Sequence, residues 1–419
     1  MTGSFVTQLL SNRIFARFWL AGLLFVLATW SLHIAMLVYV YELTGSPFAT
    51  SLIPVFASIP GIVVGPIAGV LVDRWDRKRV MAGGALALVG LLVATIPFAG
   101  RFDVSMLYAI IFVQAMVMTF FMPAENALLP TLVRDEDLAA ANALNALNDN
   151  LGRIVGPAAG AWIFVQFGFA ATLAACALIY AAGWVCLIGL QTGLTASTPV
   201  ASHAGDRTLA AIVSRARREF GDGLRAVRHT RTLAIVVAVW ALYMVADVPF
   251  SAVFPAFLSE SLDVGPESLG LMMTIRGLTG VAGGFLVVWL SRRVDPTTLL
   301  AAGLLAYGAS IAGLGVINEF GPGLWLTLAN GPGGAAVQTG LTTTLQRNTA
   351  PGMRGRVFSL VGIVNGVIVI VVSLAAGSLG EAVGTRAVVI LSGSLQLLPF
   401  LLVVAMLQRK RTPDSRFAQ

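Results

Sequence analysis

Long apolar runs separated by short polar connections make up most of this chain. Each run holds roughly 20 apolar residues, the length that a helix needs to cross about 30 Å of hydrocarbon. Twelve runs qualify, and we predict a membrane-spanning helix in each: 14–41, 48–72, 80–99, 104–123, 138–166, 169–191, 232–259, 267–290, 297–317, 322–345, 355–380 and 384–407. The first run is longer than the core of a signal peptide, so we expect it to remain as the first span. The fold class predicted is an all-α membrane protein.

One connection, 192–231, is much longer than the others and divides the spans into two sets of six. We predict an N-terminal six-helix bundle in 1–191, a cytoplasmic linker in 192–231 and a C-terminal six-helix bundle in 232–419. Apolar residues recur in the linker at three- and four-residue spacing: Leu209, Ile212, Val213, Ala216, Phe220, Leu224 and Val227. Arginines fill much of the remaining surface, which is typical of an amphipathic helix on the anionic inner leaflet. A solvated linker helix fits the same pattern.

Composition agrees with a membrane protein, because 57% of the residues are apolar and 11% are charged, against about 25% charged in soluble domains. The formal net charge of +7 does not indicate nucleic-acid binding, since the basic residues lie in short loops between spans. With both termini placed in the cytoplasm, the inward connections carry most of the Lys and Arg residues, as the positive-inside rule requires. We therefore expect a multi-pass protein of the cell membrane with both termini cytoplasmic.

An internal repeat relates the two halves. The segment that begins at Pro47 aligns without gaps to the one that begins at Pro266, and the alignment pairs Gly61 with Gly280 and Gly65 with Gly284. We expect these glycines to let helices approach closely. Two pseudo-symmetric halves in the same orientation are typical of transporters with a substrate site between the halves, although a repeat can also be purely structural.

The loop after the second span reads GVLVDRWDRKR, from Gly69 to Arg79. It resembles the signature loop of the major facilitator superfamily, which the chain matches at Gly69, Leu71, Asp73, Arg74, Arg77 and Lys78. Asp76 stands where most of the superfamily has glycine, and this variant resembles the macrolide-efflux branch of the drug/proton antiporters. The segments ELTGSP, PAENALLPTLV and RGRVFSLVG are similar to the same branch. The resemblance implies the major facilitator fold of two six-helix bundles and transport by alternating access.

The fifth span contains GRIVGPAAGA, which is similar to the antiporter motif of that superfamily at Gly152, Gly156, Pro157 and Gly160. Ala161 replaces the final glycine of the motif. Glycines one turn apart give a flat helix face, so ordinary helix packing explains the spacing equally well. Within the family, the motif implies export in exchange for protons.

Charges at the inner ends of the spans suggest two latches between the halves. The residues concerned are Asp73 with Arg354 and Arg356, and Arg292 and Arg293 with Asp135, Glu136 and Asp137. We predict that these pairs hold the outward-facing state. The alternative is that the charges only fix topology.

Charged residues inside a span are costly, about 2.5–3.5 kcal/mol on insertion scales, so each needs a partner or a task. Asp247 in the seventh span is the best candidate for proton coupling, and Arg276 in the eighth lies at a similar depth. We predict that the two pair and that a proton or a cationic substrate competes with the pairing, although a static buried pair is equally consistent. His33, Asp149 and Arg153 are further candidates, since histidine titrates near neutral pH and the other two lie four residues apart on one helix.

We expect an aromatic and flexible wall around the substrate. The candidate residues are Trp30, Tyr39, Trp240, Tyr243, Phe250, Phe254 and the polar Gln338, together with several methionines. Such surfaces accept varied amphipathic ligands. The run NGPGG, from Asn330 to Gly334, is expected to interrupt the tenth span and let it bend as a gate.

The sequence therefore predicts a proton-coupled efflux transporter for amphipathic drugs or antibiotics, macrolide- or tetracycline-like, and not an enzyme. No catalytic constellation or metal motif occurs in the sequence, and we expect no cofactor. The expected partners are a small amphipathic substrate, protons and the lipid bilayer, with no nucleic acid, and the working unit is expected to be a monomer. Export of a siderophore or another secreted metabolite is the alternative, and a non-transporting membrane sensor or scaffold is a more remote one.

Overall fold

A computed structural model describes residues 9, 11–190, 209–291, 293–350 and 353–411. Over these residues the fold is all-α, without a strand, which confirms the predicted fold class. The α-helices are α1 (Arg13–Thr44), α2 (Pro47–Val63), α3 (Gly65–Val72), α4 (Arg77–Thr95), α5 (Val104–Leu128), α6 (Leu138–Ile188), α7 (Leu209–His229), α8 (Arg231–Leu262), α9 (Pro266–Leu290), α10 (Pro296–Val316), α11 (Phe320–Arg347), α12 (Arg354–Val383), α13 (Thr385–Leu395) and α14 (Leu397–Arg411). Short 3₁₀ turns cover Ile96–Phe98, Leu129–Thr131 and Asp135–Asp137.

Helix positions follow the apolar runs, and each of the twelve predicted segments coincides with one or two of these helices. Within the described part of the chain, nine helices are long and apolar enough to cross a membrane. The short α2 and the glycine- and threonine-rich α11 are not among the nine. Helix α6, which covers two predicted spans, is counted as one helix. The number of twelve crossings therefore stays a prediction.

Helix α6 is two helices joined at one glycine. Gly168 has φ 80° and ψ 178°, a conformation that only glycine adopts readily. The break falls between the predicted spans 138–166 and 169–191. A residue with a Cβ atom at this position would be strained, so the sequence at Gly168 helps to end one span and begin the next.

The chain forms two compact units. Unit 1 comprises Met1–Leu43 and Phe56–Ala216, and unit 2 comprises Thr44–Val55 and Arg217–Gln419. The core of unit 1 contains stacked rings of Phe25 and Phe121, with centroids 4.1 Å apart. Tyr180 is fully buried beside them and accepts a hydrogen bond from Gln114 Nε2 at 2.8 Å.

Unit 2 includes the start of α2 as well as the helices from α8 onward. Ser46 donates a hydrogen bond to Glu381 at the end of α12. A Cβ atom at Gly377 would lie 2.2 Å from Ser51 Oγ and 2.8 Å from Phe48 Cα, so glycine is required for this contact. The first turns of α2 thus pack directly against the last turns of α12.

The second half of the linker helix α7 also packs within unit 2. Val227 is buried in a cluster with Val357 and Leu360 of α12. Asp222 forms an ion pair with Arg356 at 3.1 Å, and a Cβ atom at Gly223 would lie 2.8 Å from Arg356 O. Part of the apolar side of α7 is therefore covered by protein. The side chains of the predicted apolar residues from Leu209 to Ala216 lie outside the described residues.

The expectation that the repeat glycines mediate close helix contacts is wrong for three of them. A Cβ atom at Gly61, Gly65 or Gly284 would meet no atom within 4 Å. The neighbouring Gly283 makes the close contact instead, because a Cβ atom there would lie 2.4 Å from Pro332 Cα in α11. One residue along a helix turns the side-chain direction by about 100°, so neighbours face different surroundings.

Candidate functional site

Three polar side chains from α8, α9 and α10 meet inside unit 2. Tyr307 Oη donates a hydrogen bond to Asp247 Oδ1 at 2.5 Å. Arg276 Nη2 donates to Tyr307 Oη at 3.0 Å. The Tyr307 side chain is 1% exposed, whereas Asp247 and Arg276 are partly buried. We call these three residues the carboxyl–phenol–guanidinium cluster.

The predicted direct pairing of Asp247 with Arg276 is wrong in its geometry. No ion pair within 4.0 Å joins the two residues, because the Tyr307 hydroxyl lies between them and bonds to both. Sequence reasoning found the two charges because charges are rare in apolar spans, but it missed Tyr307. A tyrosine in the apolar run LLAYGAS of α10 carries no comparable signal.

Aromatic residues of α8 lie beside the carboxyl–phenol–guanidinium cluster. Tyr243 is 7% exposed, and its ring centroid lies 6.1 Å from that of Tyr307. Phe250 and Phe254 are buried, with ring centroids 4.7 Å apart. Hydrogen bonds are electrostatically stronger in such apolar surroundings than in water, and an unpaired charge is more costly. The cluster is therefore a place where the gain or loss of one proton changes the local energy strongly.

Glycines of α11 fix the distance between the helices that carry the cluster. A Cβ atom at Gly331 would lie 2.7 Å from Arg276 O and 2.3 Å from Thr279 Oγ1. A Cβ atom at Gly333 would lie 3.0 Å from Tyr307 N. The expected interruption of this span is wrong, because α11 runs without a break from Phe320 to Arg347. The NGPGG run instead lets α11 lie flush against both α9 and α10.

In unit 1, the predicted candidates Trp30, His33 and Arg153 lie together. The Arg153 guanidinium is 5.1 Å from the Trp30 ring centroid, and the His33 ring lies 5.7 Å from the same ring. The predicted pairing of Arg153 with Asp149 concerns a side chain outside the described ones. Tyr39 is stacked on Phe169 at 4.0 Å.

The antiporter motif forms a tight crossing between α6 and α1. Cβ atoms at Gly152, Gly156 and Gly160 would lie 2.3–2.9 Å from atoms of Val26, Leu27, Trp30 and Ser31. Ser31 Oγ donates a hydrogen bond to Gly156 O at 2.8 Å. Pro157 lies inside this stretch without ending the helix. The flat glycine face is thus filled by α1.

The signature loop caps three helices of unit 1. Asp76 accepts a hydrogen bond from Arg79 N at 2.9 Å and so caps the start of α4. Arg77 Nη1 donates to Ala127 O at 3.1 Å near the end of α5. Lys78 Nζ donates to Leu190 O at 2.5 Å and to Ile188 O at 3.2 Å after α6. Cations at the carboxyl ends of helices are stabilising.

The signature-loop residues outside these caps include Gly69, Asp73 and Arg74. A Cβ atom at Gly69 would meet no atom within 4 Å, so this glycine does not make a close helix contact. The backbone N–H of Asp73 ends α3 by donating to Gly69 O at 3.1 Å. Arg74 lies on the same exposed turn.

Residues of the predicted latches have partners within their own unit. Arg134 forms ion pairs with Glu136 at 2.6 Å and with Asp137 at 3.1 Å, and Asp135 is exposed. The remaining latch cations contact neighbours in unit 2: Arg356 with Asp222, Arg354 Nε with Thr349 O at 3.4 Å, and the Arg293 guanidinium with the Trp289 ring at 4.6 Å. Arg292 lies outside the described residues. The latches between the halves stay a prediction.

Two further cavity candidates lie away from the cluster. Trp240 packs, partly buried, against the apolar cluster that holds Val227 and Leu360. Gln338 is exposed on α11, about one turn beyond the NGPGG run. A role in the substrate wall stays a prediction for both residues.

Known proteins resemble this chain along nearly its whole length. The family model described as transmembrane secretion effector matches residues 6–416. Macrolide efflux protein A of Streptococcus pyogenes is 26% identical over 375 residues, which cover 87% of this chain and 88% of that protein. Multidrug efflux pump Tap of Mycolicibacterium fortuitum is 27% identical over 392 residues, covering 90% and 91%. The crystal structure of a POT family transporter has a TM-score of 0.74 at 12% identity, covering 94% and 96%, and thus shares the fold. The chain belongs to the transmembrane secretion effector family of the major facilitator superfamily, on its macrolide-efflux-like branch.

Proposed function

We propose that this protein exports amphipathic compounds, macrolide- or tetracycline-like, across the cell membrane in exchange for protons. The family, and relatives named as macrolide and multidrug efflux proteins, support export of such compounds. Cytoplasmic termini and a monomeric working unit are part of the same proposal. The observation that carries proton exchange is the hydrogen-bonded chain Asp247–Tyr307–Arg276 inside an apolar helix bundle.

The proposed role of Asp247 follows from its two possible charge states. The ionised carboxylate is stabilised by the Tyr307 hydroxyl and, through it, by the Arg276 guanidinium. Protonation neutralises the carboxylate and weakens its hold on the phenol, so α8 moves relative to α9 and α10 at lower cost. A proton and the Tyr307–Arg276 pair therefore compete for Asp247. Such competition ties the protonation state to the arrangement of the helices, as an exchanger requires.

The test is flux in proteoliposomes under an imposed pH gradient, with a panel of macrolides, tetracyclines and siderophores. Wild type is compared with Asp247→Asn and with the matched control Glu319→Gln, an exposed acid at the start of α11. We expect pH-driven export of at least one macrolide or tetracycline by wild type and by the control. The Asp247→Asn variant should bind the compound but lose the response to the gradient.

Each contrary result rejects a separate part of the proposal. Movement of no compound under the gradient rejects exchange for protons, and binding without movement favours a sensor or scaffold. Movement of siderophores alone replaces the substrate class. Full pH-driven export by Asp247→Asn rejects only the role given to Asp247, and His33, Asp149 and Arg153 then become the next candidates.

A further inference from the structure

A groove of about 620 Å³ lies in unit 1, beside the signature loop and between α4 and α5. The residues on its walls include Arg74, Trp75, Arg79, Gly83, Ala87 and Phe120. Pockets that hold a drug-sized ligand measure roughly 300–1,000 Å³. This groove, which we call the α4–α5 groove, is therefore large enough for a substantial part of an amphiphilic molecule.

Two neighbouring glycines of α4 shape the α4–α5 groove. A Cβ atom at Gly84 would lie 2.9 Å from Val117 Cγ1, so Gly84 lets α4 and α5 approach each other closely. A Cβ atom at Gly83 would meet no atom within 4 Å, and Gly83 is exposed. The missing side chain at Gly83 thus leaves the groove open.

The α4–α5 groove has one polar end and an apolar remainder. From Arg79 at the polar end, Gly83 and Ala87 follow at intervals of four residues on one face of α4, so Ala87 lies about 12 Å further along the helix axis. Trp75 is 51% exposed and stacks on Phe120 of α5, with ring centroids 6.1 Å apart. Tryptophan is enriched where the headgroup region meets the hydrocarbon. The groove therefore begins at the depth of lipid headgroups and continues along the apolar part of the helices.

Arg79 is the cation that faces this groove without a partner in the protein. Arg77 and Lys78 donate to backbone carbonyls at the ends of α5 and α6. Among the residues that the structure describes, the Arg79 side chain has no hydrogen-bond or ion-pair partner. Arg74 is a second exposed cation on the wall, and Asp76, also on the wall, caps the start of α4. The charged wall residues are thus net positive.

The chemistry of the walls defines the ligand. Guanidinium groups bind phosphate oxygens through charge-assisted hydrogen bonds. An apolar groove that leads away from a guanidinium, parallel to a membrane-spanning helix, fits a molecule with an anionic head and an apolar tail. A phospholipid of the surrounding bilayer has both parts, and it lies at the same depth as the groove. A cationic or a wholly apolar compound would match one end of the groove only.

We propose that the α4–α5 groove is a binding site for an anionic phospholipid, with the lipid phosphate on Arg79 and one acyl chain along Gly83, Ala87 and Phe120. A lipid in this position contacts the signature loop, α4 and α5 together, so it stabilises unit 1. The inference goes beyond the proposed export and depends neither on its substrate nor on proton exchange.

The test is native mass spectrometry of the purified full chain, titrated with dioleoyl phosphatidylglycerol, which is anionic, or with dioleoyl phosphatidylcholine, which is zwitterionic. The affinity for the first bound lipid is measured, and a melting temperature shows that each variant is folded. One basic residue near an anionic lipid surface contributes about fivefold in affinity. We therefore expect wild type to bind phosphatidylglycerol at least fivefold more tightly than phosphatidylcholine.

Two variants with matched controls locate the site. Arg79→Gln should weaken phosphatidylglycerol binding about fivefold and leave phosphatidylcholine binding unchanged. Its control, Arg13→Gln, removes another exposed arginine, at the start of α1, and should bind as wild type does. Gly83→Leu should weaken phosphatidylglycerol binding at least tenfold, because the leucine side chain fills the groove. Its control is Gly90→Leu, where a Cβ atom on the same helix also meets no atom within 4 Å, and it should have no effect.

Four results overturn the inference. Equal affinities of wild type for the two lipids reject an anionic site. Equal losses in Arg79→Gln and Arg13→Gln indicate a general effect of charge, and wild-type affinity in Gly83→Leu shows that the lipid binds elsewhere. Displacement of phosphatidylglycerol by erythromycin assigns the groove to the substrate. The proposed function is tested separately, since flux under a pH gradient does not enter any of these measurements.

Discussion

The crossing of α6 over α1 allows a prediction with a definite size, the substitution Gly160→Ala. A Cβ atom at Gly160 would lie 2.3 Å from Ser31 O, 2.7 Å from Ser31 Cα and 2.8 Å from Ser31 C. All three are backbone atoms of α1. A side chain can turn away from a new methyl group, but a helix backbone moves only as a whole.

The distances set the expected cost. Ordinary van der Waals contact begins at 3.4 Å, so the two helices must separate locally by about 1 Å. The hydrogen bond from Ser31 Oγ to Gly156 O, now 2.8 Å, is then lost. Overpacking costs about 1–3 kcal/mol and the lost bond about 0.5–1.5 kcal/mol. Alanine regains about 1 kcal/mol through its helix propensity. The net loss is roughly 0.5–3.5 kcal/mol.

The assay is the melting temperature of purified protein in detergent, read from the monodisperse fraction after heating. A loss of that size lowers the melting temperature by roughly 1–14 °C for a unit of about 200 residues. The matched control is Gly90→Ala in α4, where a Cβ atom would meet no atom within 4 Å. Equal melting temperatures for Gly160→Ala and Gly90→Ala would refute the packing argument.

Three other predictions concern the cluster, the signature loop and the linker. Tyr307→Phe should lower the initial rate of pH-driven export into proteoliposomes at least tenfold. Its effect should not add to that of Asp247→Asn in the double variant, since both changes break one hydrogen-bonded unit. Additive effects would show that the two residues act independently. Lys78→Met should lower the free energy of unfolding by about 1 kcal/mol, because the last carbonyls of α6 lose a charged donor, and the melting temperature should fall by a few degrees. Lys78→Arg keeps a charged donor and should restore most of this stability. Asp222→Asn should lower the free energy of unfolding by less than about 1 kcal/mol, since the ion pair of Asp222 with α12 is partly exposed. This difference in stability from wild type should vanish in high salt. A difference that persists in high salt contradicts a simple surface ion pair.

The positions of the helices were predictable because lipid imposes a length on each apolar run. The seventh predicted span, 232–259, corresponds to α8 at Arg231–Leu262. The break between the fifth and sixth spans falls at Gly168, as the polar and glycine-containing sequence there suggests. Charged residues are rare within apolar spans, so Asp247 and Arg276 could likewise be identified from the sequence.

Rotation of each helix about its own axis was not predictable, and it decides which residues meet. The repeat alignment indicated Gly65 and Gly284, yet the contact belongs to Gly283, one position away. Tyr307 was missed for the same reason, because its role depends on how three helices face one another. Apolar periodicity is weak in a helix that is apolar on all sides, so it gives little information on orientation.

A single helix connects the two parts of the candidate site. In α11, Gly331 contacts the backbone of Arg276, and Gly333 contacts the backbone of Tyr307. A larger residue at Gly331 would press on the backbone that carries the guanidinium, and one at Gly333 would press on the backbone that carries the phenol. Any shift of α11 would therefore alter the hydrogen bonds around Asp247. Under the proposed exchange for protons, such shared packing would be a physical route by which a movement of α11 and the protonation of Asp247 influence each other.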